Sequence, residues 1–485
     1  MSSITPAVSD DSAKAVGRLR GSLGVAPIVL MVVATAAPLT VMVANAPLII
    51  SMGNGAAAPF DAFVATIIMF LFASGFVGMS PFISNAGAFY AYIQKGLGRT
   101  IGLGSATLAL ASYFLILLAL EAYIGVATRE LLLTVFGGSA PWWCLSLVAI
   151  GVIGFLGYQH IEVSSKFLAV ALLLEISVVV VADVVIVLRH GGELSSPVPW
   201  RGSTIASGSP GLGVLFAIYC FIGFESTVIF REEARDPERT IPRATFLGLF
   251  IIGIFYVVSM WCEVVGVGPT EIRAFADAHP ADMYQMLIAR YLGNVTVYVV
   301  RVLLITSLFA CCLSLHNVLV RYKYVLGCYG VLHVGLARVH PRHHSPYVSS
   351  LTQTLCSTAC LLLLVFIGLD PVRQIYAWGA TAGTLGYMVI LALTCVSVLA
   401  FFASRREPGA LFQTKLAPAG GLAGLLVCLW IAVENLPALV GGDNAHVAAV
   451  CIVLGVAACF LIGVGGARML KLRSRSRYER LKELA

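Results

Sequence analysis

Charge is scarce in this sequence. Only 11% of its 485 residues are Asp, Glu, Lys or Arg, against 59% hydrophobic, and the mean hydropathy is +0.93. Soluble domains are about one-quarter charged, so the composition excludes one. Catalytic and metal signatures are missing too. There is no CxxC pair and no Cys/His spacing suited to a metal, so no cofactor or metal is expected. HExxH, GxSxG and paired aspartates within an apolar run are also absent, which leaves a membrane-embedded hydrolase without its usual machinery, and the reading is not an enzyme. The opening MSSITPAVSDDSAKAVGRLR carries no short apolar core or small-residue cleavage site. The first apolar run, 23–50, is too long for a signal peptide and reads as a retained span.

What is present is a series of apolar runs long enough to cross a bilayer core of ~30 Å. About twelve can be counted, near 24–50, 60–81, 103–128, 141–157, 166–188, 210–230, 243–267, 291–320, 346–369, 375–402, 419–437 and 446–467. With the N-terminus inside, 24 of the 31 Lys and Arg residues fall on inner segments, notably Arg231 to Arg243, Arg338, Arg342 and the tail from Arg468 to Lys482. Six fall outside, and Arg301 lies within a span. The positive-inside rule therefore places both termini in the cytoplasm, and the +7 net charge reports topology and not nucleic-acid binding. Of the twelve cysteines, nine lie in apolar runs and read as small hydrophobes. Cys144 and Cys262 both approach the outer face, and whether they pair is open. The basic tail has the composition of a juxtamembrane segment meeting anionic lipid.

One stretch stands out, Phe216 to Thr245, FAIYCFIGFESTVIFREEARDPERTIPRAT. It starts as a membrane helix and then places Gly223, Phe224, Glu225 and Ser226 inside the apolar run. A carboxylate at that depth costs at least ~2.5–3.5 kcal/mol unless it faces protein or water. Non-helical backbone is tolerated there only beside protein or a cavity. A charged loop, 231–243, follows. Span one carries a matching interruption, with Pro38 behind Thr35, Ala36 and Ala37; a mid-helix proline removes a backbone hydrogen bond. Paired breaks at corresponding positions point to a secondary transporter's binding site. Five spans precede the second broken span, so the repeat unit is five helices. An odd number inverts the second copy and leaves spans eleven and twelve outside the repeat.

These residues resemble the amino acid–polyamine–organocation superfamily over essentially the whole chain. Phe221 to Ala244, FIGFES followed by EEARDPERTIPRA, is similar to the family's sixth helix and following loop. Asn85-Ala-Gly-Ala-Phe-Tyr-Ala-Tyr-Ile with Gly96-Leu-Gly resembles the segment after helix two. His316-Asn-Val-Leu-Val-Arg-Tyr-Lys-Tyr-Val-Leu-Gly, then Gly330-Val-Leu and His344-Ser-Pro, resembles helix eight and its loop. The resemblance implies access alternating by rocking of helices one, two, six and seven against the rest. It also implies an aromatic lid, at Tyr219. Two departures matter. The glycine cluster that takes an amino-acid carboxylate in the family is here Ala34-Thr-Ala-Ala-Pro-Leu-Thr, and a lysine common in helix five is matched by Glu175.

The expected fold is an all-α polytopic membrane protein: a tail at 1–22, a core at 23–402 with repeats near 23–190 and 210–402, helices eleven and twelve at 403–467, and a basic tail at 468–485. The expected function is secondary active transport of a small amino acid or amine across the plasma membrane, by proton symport. An exchanger and a non-transporting sensor are the alternatives. Thr35, Ala36, Ala37, Pro38, Tyr219, Phe221, Gly223, Phe224 and Ser226 are the expected substrate-site residues, and Glu225 and Glu175 the coupling or gating acids. Thr306 and Ser307 are the candidates for sodium. Among the remaining ionisable groups a Glu121–Arg301 pair is expected, Asp183 and Glu263 read as wetted near the outer ends, and His333, His340, His343 and His344 as a solvated loop.

Overall fold

A computed structural model of the chain describes residues 24–83, 89–138, 140–159, 165–190, 192, 197–225, 227, 234–343, 345–404, 410–440 and 445–481. The 1–22 tail, Asn85–Ala88, Ser226, Arg231, His344, Arg405, Arg406 and Lys482 lie outside the described residues. The described chain is all-helical. Ten helices are long and apolar enough to cross a membrane, and the difference from twelve has a physical cause at each end. The first, Val25–Phe82, is 58 residues long; at 1.5 Å per residue it would be nearly three bilayer cores in length. It divides at Gly53, whose φ/ψ are non-helical, and Gly55, with φ 56°, into span one and span two (Ala58–Met79). The sixth span falls short because its helix, Pro210–Tyr219, ends after ten residues.

The other spans are three (Arg99–Phe136), four (Trp142–Gln159), five (Ser165–His190), seven (Pro237–Val267), eight (Asn294–Cys328), nine (Tyr347–Ile367), ten (Ala377–Ser404), eleven (Ala417–Val440) and twelve (Ala445–Arg473). Span seven starts six residues before the expected 243, because Pro237 takes the first-turn position, where a missing N–H costs nothing. The expected loop is correspondingly shorter. Span three runs between spans four, eight, ten and twelve, while span one lies on seven and span two on seven and eleven. Its central position gives span three a long buried face, including Tyr113, Glu121 and Tyr123. Spans five, nine and twelve instead turn Val181, Val184, Leu355, Leu363, Leu454 and Leu461 outward, as surfaces facing lipid do.

The C-terminal segment folds back onto the protein. Tyr478 lies beside Thr100, hydroxyl to hydroxyl at 3.0 Å, and its carbonyl accepts from Arg99 Nη1 at 3.3 Å. The Leu481 carbonyl accepts from Gln94 Nε2. Leu481 itself is buried against Leu103, Ala106, Leu326 and Ala467. The basic tail is thus tied to the protein as well as carrying charge suited to a membrane surface.

Candidate functional site

Both expected breaks exist, and they touch. Span one is helical over Val25–Ala36. Ala37 then adopts φ 47°, ψ 65°, and Pro38 restarts the helix. A residue before proline is pushed out of the right-handed helical region. Ala37 is the one non-glycine residue with positive φ among the described residues, a conformation costing roughly 1–2 kcal/mol for an L-residue. In span six the helix ends at Tyr219 and Gly223 takes φ 107°. A Cβ at Gly223 would lie 2.5 Å from Thr35 Cγ2, so the second break packs onto the first only because it lacks a side chain.

Glu225 follows this turn and is fully engaged. Tyr113 Oη of span three donates to Oε1 at 2.6 Å. Gly223 N–H and Tyr387 Oη of span ten donate to Oε2 at 2.9 and 3.1 Å. The acid therefore ties the span-six break to spans three and ten. It also lines a cavity of about 100 Å³. Thr35, Ala36, Ala37 and Thr40 of span one form one wall, with Tyr219, Ile222 and Gly223 of span six beside them. Phe76, Phe89, Tyr113 and Tyr322 supply aromatic surface, and Cys311, Ser314 and Leu315 of span eight close the far side. Among the described residues Glu225 is the single carboxylate in this lining, and no Lys, Arg or His joins it.

Glu175 lies behind that wall, 4% exposed. Ser307 Oγ donates to its Oε2 at 2.9 Å, and Thr40 Oγ1 donates to Ser307 Oγ at 3.0 Å. A hydroxyl chain thus joins span one, just past its break, to spans eight and five. Thr306 is separate, its hydroxyl spent on the Leu303 carbonyl of its own helix at 2.8 Å. Among the described residues no group of His, Cys, Asp and Glu is arranged to hold a metal ion.

The expected residues divide into those at the cavity and those behind it. Thr35, Ala36, Ala37, Tyr219, Gly223 and Glu225 line it. Phe224 is buried instead between Phe72 and Phe76, at ring distances of 5.9 and 6.4 Å, and Phe221 packs its edge on Tyr256 at 5.8 Å. Pro38 shapes the break without reaching the lining. Arg301 approaches Glu130 at 3.8 Å, not Glu121, because Glu130 lies nine residues further along span three, beside Arg301. Glu263 is buried, 1% exposed, and not wetted; Asp183 accepts from Ser259 at 2.6 Å. Cys144 and Cys262 are free thiols. His340 and His343 pack with Tyr158 and Tyr347 in an aromatic cluster.

Sequence reasoning missed Tyr113, Tyr387, Tyr322 and Tyr256, since a tyrosine in an apolar run is ordinary packing until its hydroxyl has a partner. It also passed over Asn45, whose Nδ2 donates to the Phe216 carbonyl at 2.7 Å, and Asp61, which accepts from Asn54 at 2.8 Å and is fully buried. Those two were legible as polar residues inside or at the edge of apolar runs.

The family model for amino acid permeases matches residues 27–470. The chain belongs to the amino acid permease family. The permease is 23% identical over 438 residues to the low-affinity putrescine importer PlaP of Escherichia coli K12, covering 87% of this chain and 91% of that protein. It is 22% identical over 289 residues to the branched-chain amino acid permease BcaP of Bacillus subtilis, covering 59% and 57%. A transporter of unassigned function from Mycobacterium tuberculosis, Rv1979c, is 25% identical over 271 residues, covering 50% and 53%. The match to the family takes in both broken spans and the residues around the cavity.

Proposed function

We propose that this permease moves a small amino acid or related amine across the plasma membrane by alternating access, coupled to proton symport, with both termini cytoplasmic and the two five-span repeats at 23–190 and 210–402. The observation that carries this reading is the contact between the two helix breaks at a cavity whose wall holds Glu225 and, among the described residues, no cation. A substrate ammonium entering there meets a carboxylate, and few polar groups compete with it. The putrescine importer and the branched-chain amino acid permease named above are similar to this chain, so the first probes are putrescine and one branched-chain amino acid, leucine.

The two acids divide the work. Glu225 accepts from three donors on spans three, six and ten, which fixes its carboxyl group at the cavity wall, so it acts as the acceptor for a substrate ammonium and as the gate. Glu175 has a single hydrogen bond, from Ser307, and it joins the moving span one to spans five and eight through Thr40. That makes it the proton carrier. Uptake of radiolabelled putrescine or leucine into proteoliposomes should rise several-fold when the outside is made acid. Glu175→Gln should abolish that stimulation while keeping counterflow. Uptake that ignores the gradient in the wild type would sink proton symport, and uptake that needs a counter-substrate inside would establish exchange.

A further inference from the structure

Tyr256 of span seven is buried to 1%, and its hydroxyl reaches two carbonyls at once, Ala36 O at the end of the first half of span one and Cys220 O at the start of the span-six turn, each at 3.2 Å. Both are carbonyls that the breaks leave without a helical partner. Ala36 is the last residue before the left-handed Ala37. Cys220 would turn to Gly223 N–H or Phe224 N–H, but Gly223 N–H donates to Glu225 and Phe224 N–H to the Phe221 carbonyl. An unpaired buried carbonyl costs about 1–3 kcal/mol, and lipid offers no water to relieve it. At the span-six break Glu225 therefore satisfies the loose N–H while Tyr256 satisfies the loose C=O.

A phenol has one proton to donate. Two acceptors at equal distance share it, and a movement that strengthens one bond weakens the other. We infer that Tyr256 is the positioning residue that ties the two broken helices into one moving unit, its hydroxyl proton shared between Ala36 and Cys220 at rest and drawn to one of them as the breaks shift. The edge of Phe221 against the Tyr256 ring, 83° between planes, holds the ring in place while the proton changes partner. The inference adds to the alternating-access reading above, and its transport consequence rests on that reading; the structural coupling does not.

The test uses the full-length protein in nanodiscs. Tyr256→Phe keeps the ring and removes the donor. Hydrogen exchange read by mass spectrometry should speed up about five- to tenfold, the weight of one net hydrogen bond, at the amides of both 39–41 and 220–224, with span three unchanged. Genetic incorporation of 4-aminophenylalanine at position 256 supplies two N–H donors, enough for both carbonyls together. It should restore protection at both breaks, yet slow counterflow of putrescine or leucine below wild type, because the two ends no longer compete for one proton. Faster exchange at one break alone, or at neither, would overturn the coupling. Wild-type counterflow in the amino variant would reduce Tyr256 to a passive cap. A wild type that carries neither compound fails the transport reading, and the exchange measurement still decides the clasp.

Discussion

At residue scale the site depends on what Gly223 lacks. Its φ of 107° is a conformation L side chains rarely adopt, and an added Cβ would meet Thr35 Cγ2 at 2.5 Å. Gly223→Ala should therefore lose at least about 1–3 kcal/mol of stability from backbone strain alone and cut the initial uptake rate by more than about tenfold; thermal unfolding and flux would be read on the same preparation. Combining it with Thr35→Ser removes the methyl and should recover part of the packing loss but none of the strain. Full recovery in the double variant would mean that sterics, and not φ, set the requirement. The sequence marked Gly223 through its neighbours Phe224 and Glu225, but not the reason for it. That reason is a residue 188 positions earlier in the chain, Thr35.

At the scale of elements, the interruption of span one is a stability cost. Pro38 stands in the first turn of the restarted helix, where its missing N–H costs nothing, so the cost lies in the left-handed backbone that Ala37 adopts before it, roughly 1–2 kcal/mol. Pro38→Ala frees the residue before it to return to helical φ/ψ and lets span one run straight. We expect a higher midpoint of thermal unfolding together with a flux reduced to background, since a continuous helix withdraws the wall formed by Ala36, Ala37 and Thr40. Retained transport would show that the cavity does not depend on the break. The sixth span makes the same point from the other side. Its apolar run to Phe230 reads as one span, yet the helix stops at Tyr219. Sequence pattern located the weak point to within a few residues and could not show that Glu225 would hold the broken end through Gly223 N–H.

The whole molecule closes on its own tail. Leu481, 1% exposed, packs where spans three, eight and twelve meet, and Tyr478 lies under Arg99 and Lys471, 5.4 and 5.8 Å from its ring centroid. Leu481→Ala should destabilise by about 2–5 kcal/mol if the site cannot collapse and should speed proteolysis of the tail. Unchanged digestion would place the tail's attachment in Tyr478 and the backbone carbonyls that Arg99 and Gln94 reach. Composition read that segment as basic and lipid-facing because burial of one leucine leaves no periodic signal in so short a stretch. The sequence by itself determined the membrane class, the order of the spans and the two breaks, because hydropathy, proline and an acid at depth each carry their energetic cost locally. Only the tertiary structure decided that the breaks abut, that Tyr113, Tyr387 and Gly223 share Glu225, and that Tyr256 bridges two carbonyls. Those are contacts between residues far apart in the chain, and a hydroxyl's role is set by the partner that packing brings within ~3 Å.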